Sequence, residues 1–224
     1  MALVEDGCWE NLLRAPDFCV GTGDRLDLLP CLLAAEAKHG TLVLVLAYTG
    51  LRWDEVTAFR VKDVNPMRRR LNVVLNAVEV GGNIELGTPK THKKRTVPFP
   101  AFLADALVAQ MAGKHPEDLL FPGSDGKYMK RGGASQTSNR WFANALLRAG
   151  LERMTVHDLR HTAASLAISA GANVKSVQAM LGHTSATMTL DTYADLFPDD
   201  LDAVAVALDA AASQQVAHKV RSQD

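Results

Sequence analysis

The longest apolar run, Leu42 to Ala47 with Tyr48 behind it, has no polar face, which predicts a buried helix ended by the break at Thr49-Gly50. Leu28 to Lys38 before it also has helical spacing, and Trp53 to Phe59 after it predicts a short helix. The pattern then changes. Leu71 to Leu75, Ala77 to Val80, Ile84 to Leu86 and Thr96 to Phe99 are brief, rich in β-branched residues, and separated by Gly81-Gly82 and by the polar run Thr91 to Arg95. Such segments predict a three-stranded antiparallel sheet. Helical spacing returns after Pro100, at Phe102 to Met111, Ser135 to Ala149, Val156 to Ser169, Val174 to Leu181 and Asp199 to Ala212. Gly150, Gly171 and Gly182 stand where C-terminal stops are expected. The fold class is therefore mainly α with a small three-stranded antiparallel sheet, an α+β domain. Residues 1–27 mix Gly, Pro, Asp and single apolar residues without a period, and are expected to be a linker or the remnant of something upstream.

Composition bounds the class of molecule. With 47% of 224 residues hydrophobic, the chain can close one sizeable core. The 22% charged residues, 16 Gly and 9 Pro, with no repeat period, disfavour disordered, collagen-like and solenoid chains. The apolar run at Leu42 is far short of the roughly 20 residues that cross a bilayer. Glu5 and Asp6 stand where a secretory signal would be basic, so a soluble, cytoplasmic protein with no membrane partner is expected. Cys8, Cys19 and Cys31 are odd in number and form neither a disulfide framework nor a CxxC metal pair, which fits a reducing compartment. The net charge of −1 argues against a protein that coats nucleic acid indiscriminately. That average hides a polarity. Arg52 to Arg95 holds ten basic and five acidic residues, while Asp191 to Asp209 holds six aspartates and no Lys or Arg. One face is built to meet a polyanion and the tail to avoid it.

The densest chemistry lies in Thr155-Val-His157-Asp158-Leu-Arg160-His161. On a helix, His157 and Arg160 share a face while Leu159, Ala163 and Leu166 turn toward a core. A titratable imidazole beside a permanent cation is costly unless an anion sits between them. A zinc helix of the HExxH kind would use His157 and His161. Against it, Asp158 replaces the longer Glu and Arg160 would aim a positive charge at the metal, so no metal is expected.

This segment has companions: Thr49-Gly-Leu51-Arg52-Trp-Asp-Glu55-Val upstream, and Leu181-Gly182-His183-Thr184 then Thr189-Leu-Asp-Thr-Tyr193 downstream. An Arg followed three residues later by Glu, then HxxR, then LGH, then Tyr about ten residues on, resembles the tyrosine recombinase (phage integrase) family. The resemblance runs from about Leu28 to Ala212 and implies that family's catalytic-domain fold over residues 28–198. The implied activity is site-specific recombination: cutting and rejoining DNA through a covalent 3′-phosphotyrosine, with no metal or nucleotide cofactor. Tyr193 would be the nucleophile. Arg52 and Arg160 would clamp the non-bridging phosphate oxygens, a task for planar guanidinium. His157 would accept the tyrosyl proton or bond the phosphate, and His183 would donate to a non-bridging oxygen. Lys90, in a Pro89-Lys90-Thr91 to Arg95-Thr-Val97-Pro98 pattern like the family's hairpin, would protonate the leaving oxygen. Lys93, Lys94 and Arg95 would touch the DNA backbone. Glu55 would orient Arg52, Asp158 would orient its neighbours or face water, and His161 is expected to pack or bond locally.

The same resemblance implies double-stranded DNA recombination sites as partners, a homotetramer on DNA, and a directionality factor or host DNA-bending protein, in a bacterial cytoplasm. Residues 199–224 carry an apolar stripe of Leu201, Val204, Ala205 and Leu208 on an acidic helix, which would dock on a neighbouring protomer or fold back on its own domain. Residues 1–27 are too few for the additional helical clamp domain usual in such recombinases, so that domain is expected to be absent and duplex binding to be weak. The alternatives are a type IB topoisomerase, which uses the same constellation, and a DNA-binding accessory protein without catalysis.

Overall fold

The computed structural model describes Leu33, residues 37–88, 94–130 and 140–197, and positions 205, 206, 208 and 209. Its centre is α1 (Gly40–Thr49), whose residues from Leu42 to Ala47 are all buried. Val43 and Val45 are indifferent helix formers, so burial on every side and not propensity holds this segment helical. Gly50 ends it in the left-handed conformation, φ +62°, with its N–H bonded to the Leu46 carbonyl. A Cβ at Gly50 would stand 2.6 Å from a Leu181 methyl, so this turn fits no side chain. The short α2 (Trp53–Val56) follows at once, started by Glu55, whose carboxylate accepts the Arg52 N–H at 2.9 Å.

Five strands come next: β1 (Val64–Asn65), β2 (Arg70–Val73), β3 (Asn76–Val80), β4 (Asn83–Gly87) and β5 (Arg95–Pro98). They form two antiparallel sheets where the hydrophobic pattern predicts one. β1, β2 and β5 make the three-stranded sheet, with Leu71 opposite both Val64 and Val97, while β3 and β4 form a separate hairpin. The cause is the turn. Gly81 and Gly82, at φ +56° and +82°, close a two-residue connection whose twist pairs its own flanks, leaving β5 to return to β2.

The remaining helices are α3 (Leu103–Met111), α4 (Arg140–Arg148), α5 (Asp158–Ser169), α6 (Val174–Leu181) and α7 (Ala186–Tyr193). α7 has no counterpart in the sequence pattern. It starts at Ser185, whose hydroxyl accepts the Met188 N–H. The main core gathers α1, β2, β5, α3 and α4, with Leu44, Leu71, Val97, Leu103 and Leu146 among its members. A smaller cluster of Ala164, Ile168, Val177, Leu181 and Tyr193 joins α5, α6 and α7. The expected helix at Leu28 to Lys38 lies outside the described residues apart from Leu33, which is helical, and Ala37 and Lys38, which begin a 3-10 turn. Of the expected helix at Asp199 to Ala212, only four described positions are helical, and among them Val206 and Leu208 are exposed.

Candidate active site

Four chain segments meet where α1 ends. Arg160, on the first turn of α5, is only 4% exposed. Its guanidinium donates through Nη1 to the Gly50 carbonyl and through Nη2 to the Leu181 carbonyl at 2.7 Å. Both partners are backbone oxygens, so the positive charge is anchored without being neutralised by contact. Burial, followed by the repulsion of Arg52, lowers the Arg160 pKa to about 10, which still leaves it protonated at neutral pH.

Glu55, 3% exposed, is the carboxylate of this site. Arg95 grips it with two parallel bonds, Nη1 to Oε1 at 2.7 Å and Nη2 to Oε2 at 2.8 Å, and Arg52 Nη1 adds a third at 3.2 Å. Burial acts to raise the Glu55 pKa, but the bonds and charges of Arg95 and Arg52 outweigh it and hold the carboxyl below its ordinary value. Glu55 is therefore an anion bound by two cations, with a third, Arg160, close enough to be shifted by all of them.

The position of Arg95 corrects an expectation. Grouped by sequence with the lysines of the hairpin as a DNA-backbone contact, it is instead turned inward, its side chain 14% exposed. A buried carboxylate 40 residues away attracts it more strongly than water does. Its guanidinium also lies against Gly182, where a Cβ would come within 2.8 Å of Cζ, so the LGH turn needs a glycine to admit the arginine. Lys94 is exposed, and Lys90 and Lys93 lie outside the described residues.

His183 follows that turn, with Nδ1 2.9 Å from the Thr189 hydroxyl. Burial, then the charges of Arg160, Arg52 and Arg95, pushes its pKa down to about 4, so the ring is neutral at pH 7. Tyr193 closes the site at the end of α7, 5% exposed, its ring in the cluster with Leu181 and Ile168. Burial raises the phenol's pKa, and Arg160 opposes the rise. The group on the Tyr193 hydroxyl is His161 Nδ1, at 2.9 Å. His157, expected to take the phenol's proton or bond the phosphate, stands just ahead of α5 without a side-chain capping bond and meets His161 edge to face, ring centres 5.4 Å apart. Asp158 accepts from the Thr155 N–H at 2.6 Å and from its hydroxyl at 2.9 Å. Burial pushes the Asp158 carboxyl up, but those bonds and the fields of His161 and His157 keep it below its ordinary value.

The structure thus brings Arg52, Glu55, Arg160, His183 and Tyr193 together. It adds Arg95 and His161, whose partners lie 40 and 32 residues away in sequence, beyond the reach of any local pattern. Such an arrangement can receive an oxyanion: guanidiniums outnumber carboxylates, a neutral imidazole can donate one more bond, and a phenolic hydroxyl stands beside them. Among the described residues no group of three or more His, Cys, Asp or Glu is placed to hold a metal ion.

Residues 29–199 match the phage integrase family. The chain belongs to that family. It is 32% identical to the integrase of Mycobacterium phage L5 over 179 residues, covering 75% of this chain and 46% of that protein. It is likewise 32% identical to the tyrosine recombinase XerC of Corynebacterium efficiens over 159 residues, 69% of this chain and 46% of that one. The chain spans about half the length of these curated relatives. Among solved structures, the catalytic domain of bacteriophage HP1 integrase is similar with a TM-score of 0.56 at 25% identity, covering 81% of this chain and 92% of that one. The Tn1549 transposon integrase in complex with a circular intermediate DNA gives a TM-score of 0.66 at 21% identity, covering 82% of this chain and 63% of that chain. The phage integrase match contains every described residue of the site, from Arg52 to Tyr193. Among the described residues, no helix is long and apolar enough to cross a membrane.

Proposed function

We propose that this chain is the catalytic portion of a site-specific DNA recombinase that cuts and rejoins duplex DNA through Tyr193. The observation that carries the proposal is the pairing of the buried Tyr193 phenol with a cluster of three guanidiniums, Arg52, Arg95 and Arg160, served by the single carboxylate of Glu55. A backbone phosphate is the anion that fits. Its non-bridging oxygens take bonds from Arg52 and Arg160, and neutral His183 donates one more. These groups stabilise the added charge of the five-coordinate phosphorus as the phenolic oxygen attacks. The phosphorus–O5′ bond breaks, leaving a 3′-phosphotyrosyl link and a 5′-hydroxyl, and Lys90 supplies the proton that the departing oxygen needs. Lys93 and Lys94 hold the flanking backbone.

Four copies would act on two duplexes, with residues 199–224 as the link between protomers; the exposed Val206 and Leu208 support that use. The test is covalent capture from a library of nicked duplexes of randomised sequence, in which the cut fragment diffuses away and the adduct survives denaturation. The wild-type chain should yield an adduct and Tyr193→Phe none; equal capture by both contradicts the proposal. On a captured sequence, Lys90→Ala should abolish cleavage of the normal strand yet spare one whose bridging 5′-oxygen is sulfur, a leaving group that needs no acid. Equal loss on both strands removes Lys90 from that role.

A further inference from the structure

Tyr193 cannot attack as a phenol without losing its proton, and the pocket that buries its ring opposes that loss. The group in contact with the hydroxyl is a ring the sequence motifs leave aside: His161 Nδ1, 2.9 Å away. The two rings are tilted by 55° with centres 5.7 Å apart, so the contact runs through the hydroxyl and the ring nitrogen and not through stacked faces. His161 sits one turn beyond His157 and Asp158 on α5, while Tyr193 ends α7, so two helices of the small cluster fix the pair from opposite sides.

We propose that His161 is the catalytic proton acceptor for Tyr193, a step that rests on the recombinase reading of this site. The phenol donates to Nδ1, so the resting ring carries its proton on Nε2. As the tyrosyl oxygen forms its bond to phosphorus, the O–H bond breaks, its electron pair stays on oxygen, and the proton passes to Nδ1. The phosphorus–O5′ bond breaks in the same displacement, and the departing oxygen takes its proton from the acid assigned above. On rejoining, the DNA 5′-hydroxyl gives its proton back to the group that had supplied it, its oxygen bonds to phosphorus, the P–O bond to Tyr193 breaks, and the imidazolium returns its proton to the tyrosyl oxygen.

The ring has charged and titratable neighbours. Asp158, on the same helix, is held as a carboxylate by Thr155 and feels the fields of His161 and His157. It favours the imidazolium. His157, edge to face at 5.4 Å, and His183 from the LGH turn, close enough to be shifted by the charge of His161, disfavour it. An imidazole so placed contributes on the order of 10²–10⁴-fold in rate.

Two measurements on the full chain decide the matter. In the DNA-free protein, nitrogen NMR of labelled histidine, assigned by the signal lost in His161→Asn, should show Nδ1 as acceptor and the proton on Nε2; a proton on Nδ1 overturns the proposal. The second uses a nicked duplex captured from the randomised library and follows single-turnover adduct formation against pH. His161→Ala should lose about 10²–10⁴-fold, lose the pH inflection of the wild-type chain, bind the duplex as before, and regain rate with added imidazole. His161→Asn keeps a side-chain acceptor near Nδ1 but takes no proton, so it should remain slow and lack the inflection. Wild-type rate and inflection in His161→Asn would reduce His161 to a bystander. Failure of the wild-type chain to form any adduct counts against the recombinase reading itself, and the tautomer still decides the direction of the hydrogen bond.

Discussion

His183 stays uncharged at neutral pH because burial, and then Arg160, Arg52 and Arg95, lower its pKa from 6.5 to about 4. In the unfolded chain the same ring takes a proton near its ordinary value. Between those two values the unfolded state binds more protons, so the His183 contribution to stability is full above pH 6.5 and is lost as the pH falls toward 4. Urea midpoints measured from pH 7 to pH 4.5 should therefore fall more steeply for the wild-type chain than for His183→Gln; parallel curves would mean that the ring is not held neutral. Bound phosphate reverses the sign locally, since an anion favours the imidazolium. Arg160 is different in kind. Its two bonds to the Gly50 and Leu181 carbonyls need two divergent donors on one plane, which a lysine ammonium on a flexible stem does not reproduce.

Glu55 joins elements that are far apart in the chain: it starts α2, receives Arg95 from β5, and through Arg95 touches the glycine after α6. Glu55→Gln would leave Arg52, Arg95 and Arg160 together without the carboxylate that Arg52 and Arg95 bond among the described residues. Removing one member of a buried ionic group costs about 3–5 kcal/mol. The expected result is a loss of that size in unfolding free energy, with cleavage abolished even where the fold survives; an unchanged midpoint would deny Glu55 its central place. Much of this level was legible in the sequence. α1, α3 and α6 follow from their apolar residues, with Gly50 and Gly182 as stops for the first and the last, because those signals are local. α7 was not legible: Ala-Thr-Met-Thr-Leu-Asp-Thr-Tyr has three β-branched threonines and no apolar stripe, and only Ser185 marks its start. Sheet pairing escaped for another reason. A strand declares itself through its own residues, but β5 and β2 are partners across more than twenty positions and β1 is two residues long. Arg95 read as a DNA-backbone contact beside the hairpin lysines because the carboxylate that buries it belongs to another element.

At the scale of the molecule, the excess of positive charge between Arg52 and Arg95 is smaller in space than along the chain. Arg60 and Lys62 are both held by Glu117, at 2.7 and 2.6 Å, and Arg52 and Arg95 share Glu55. With a net charge of −1, this chain should bind duplex weakly, with a log-log salt slope of only a few units, because each neutralised phosphate releases about one counterion. Titration at several salt concentrations checks this, and nanomolar binding at physiological salt would contradict it. Weak binding is compatible with catalysis, since the chemistry depends on how one phosphate is gripped and not on how many are touched. The account turns on Tyr193 as the atom donor to phosphorus. Its most direct test is peptide mapping of the denatured protein–DNA adduct after nuclease digestion. The account predicts a nucleotide attached through its 3′-phosphate to Tyr193. A 5′-linked nucleotide, or attachment to Tyr48, Tyr128 or a histidine, would contradict it.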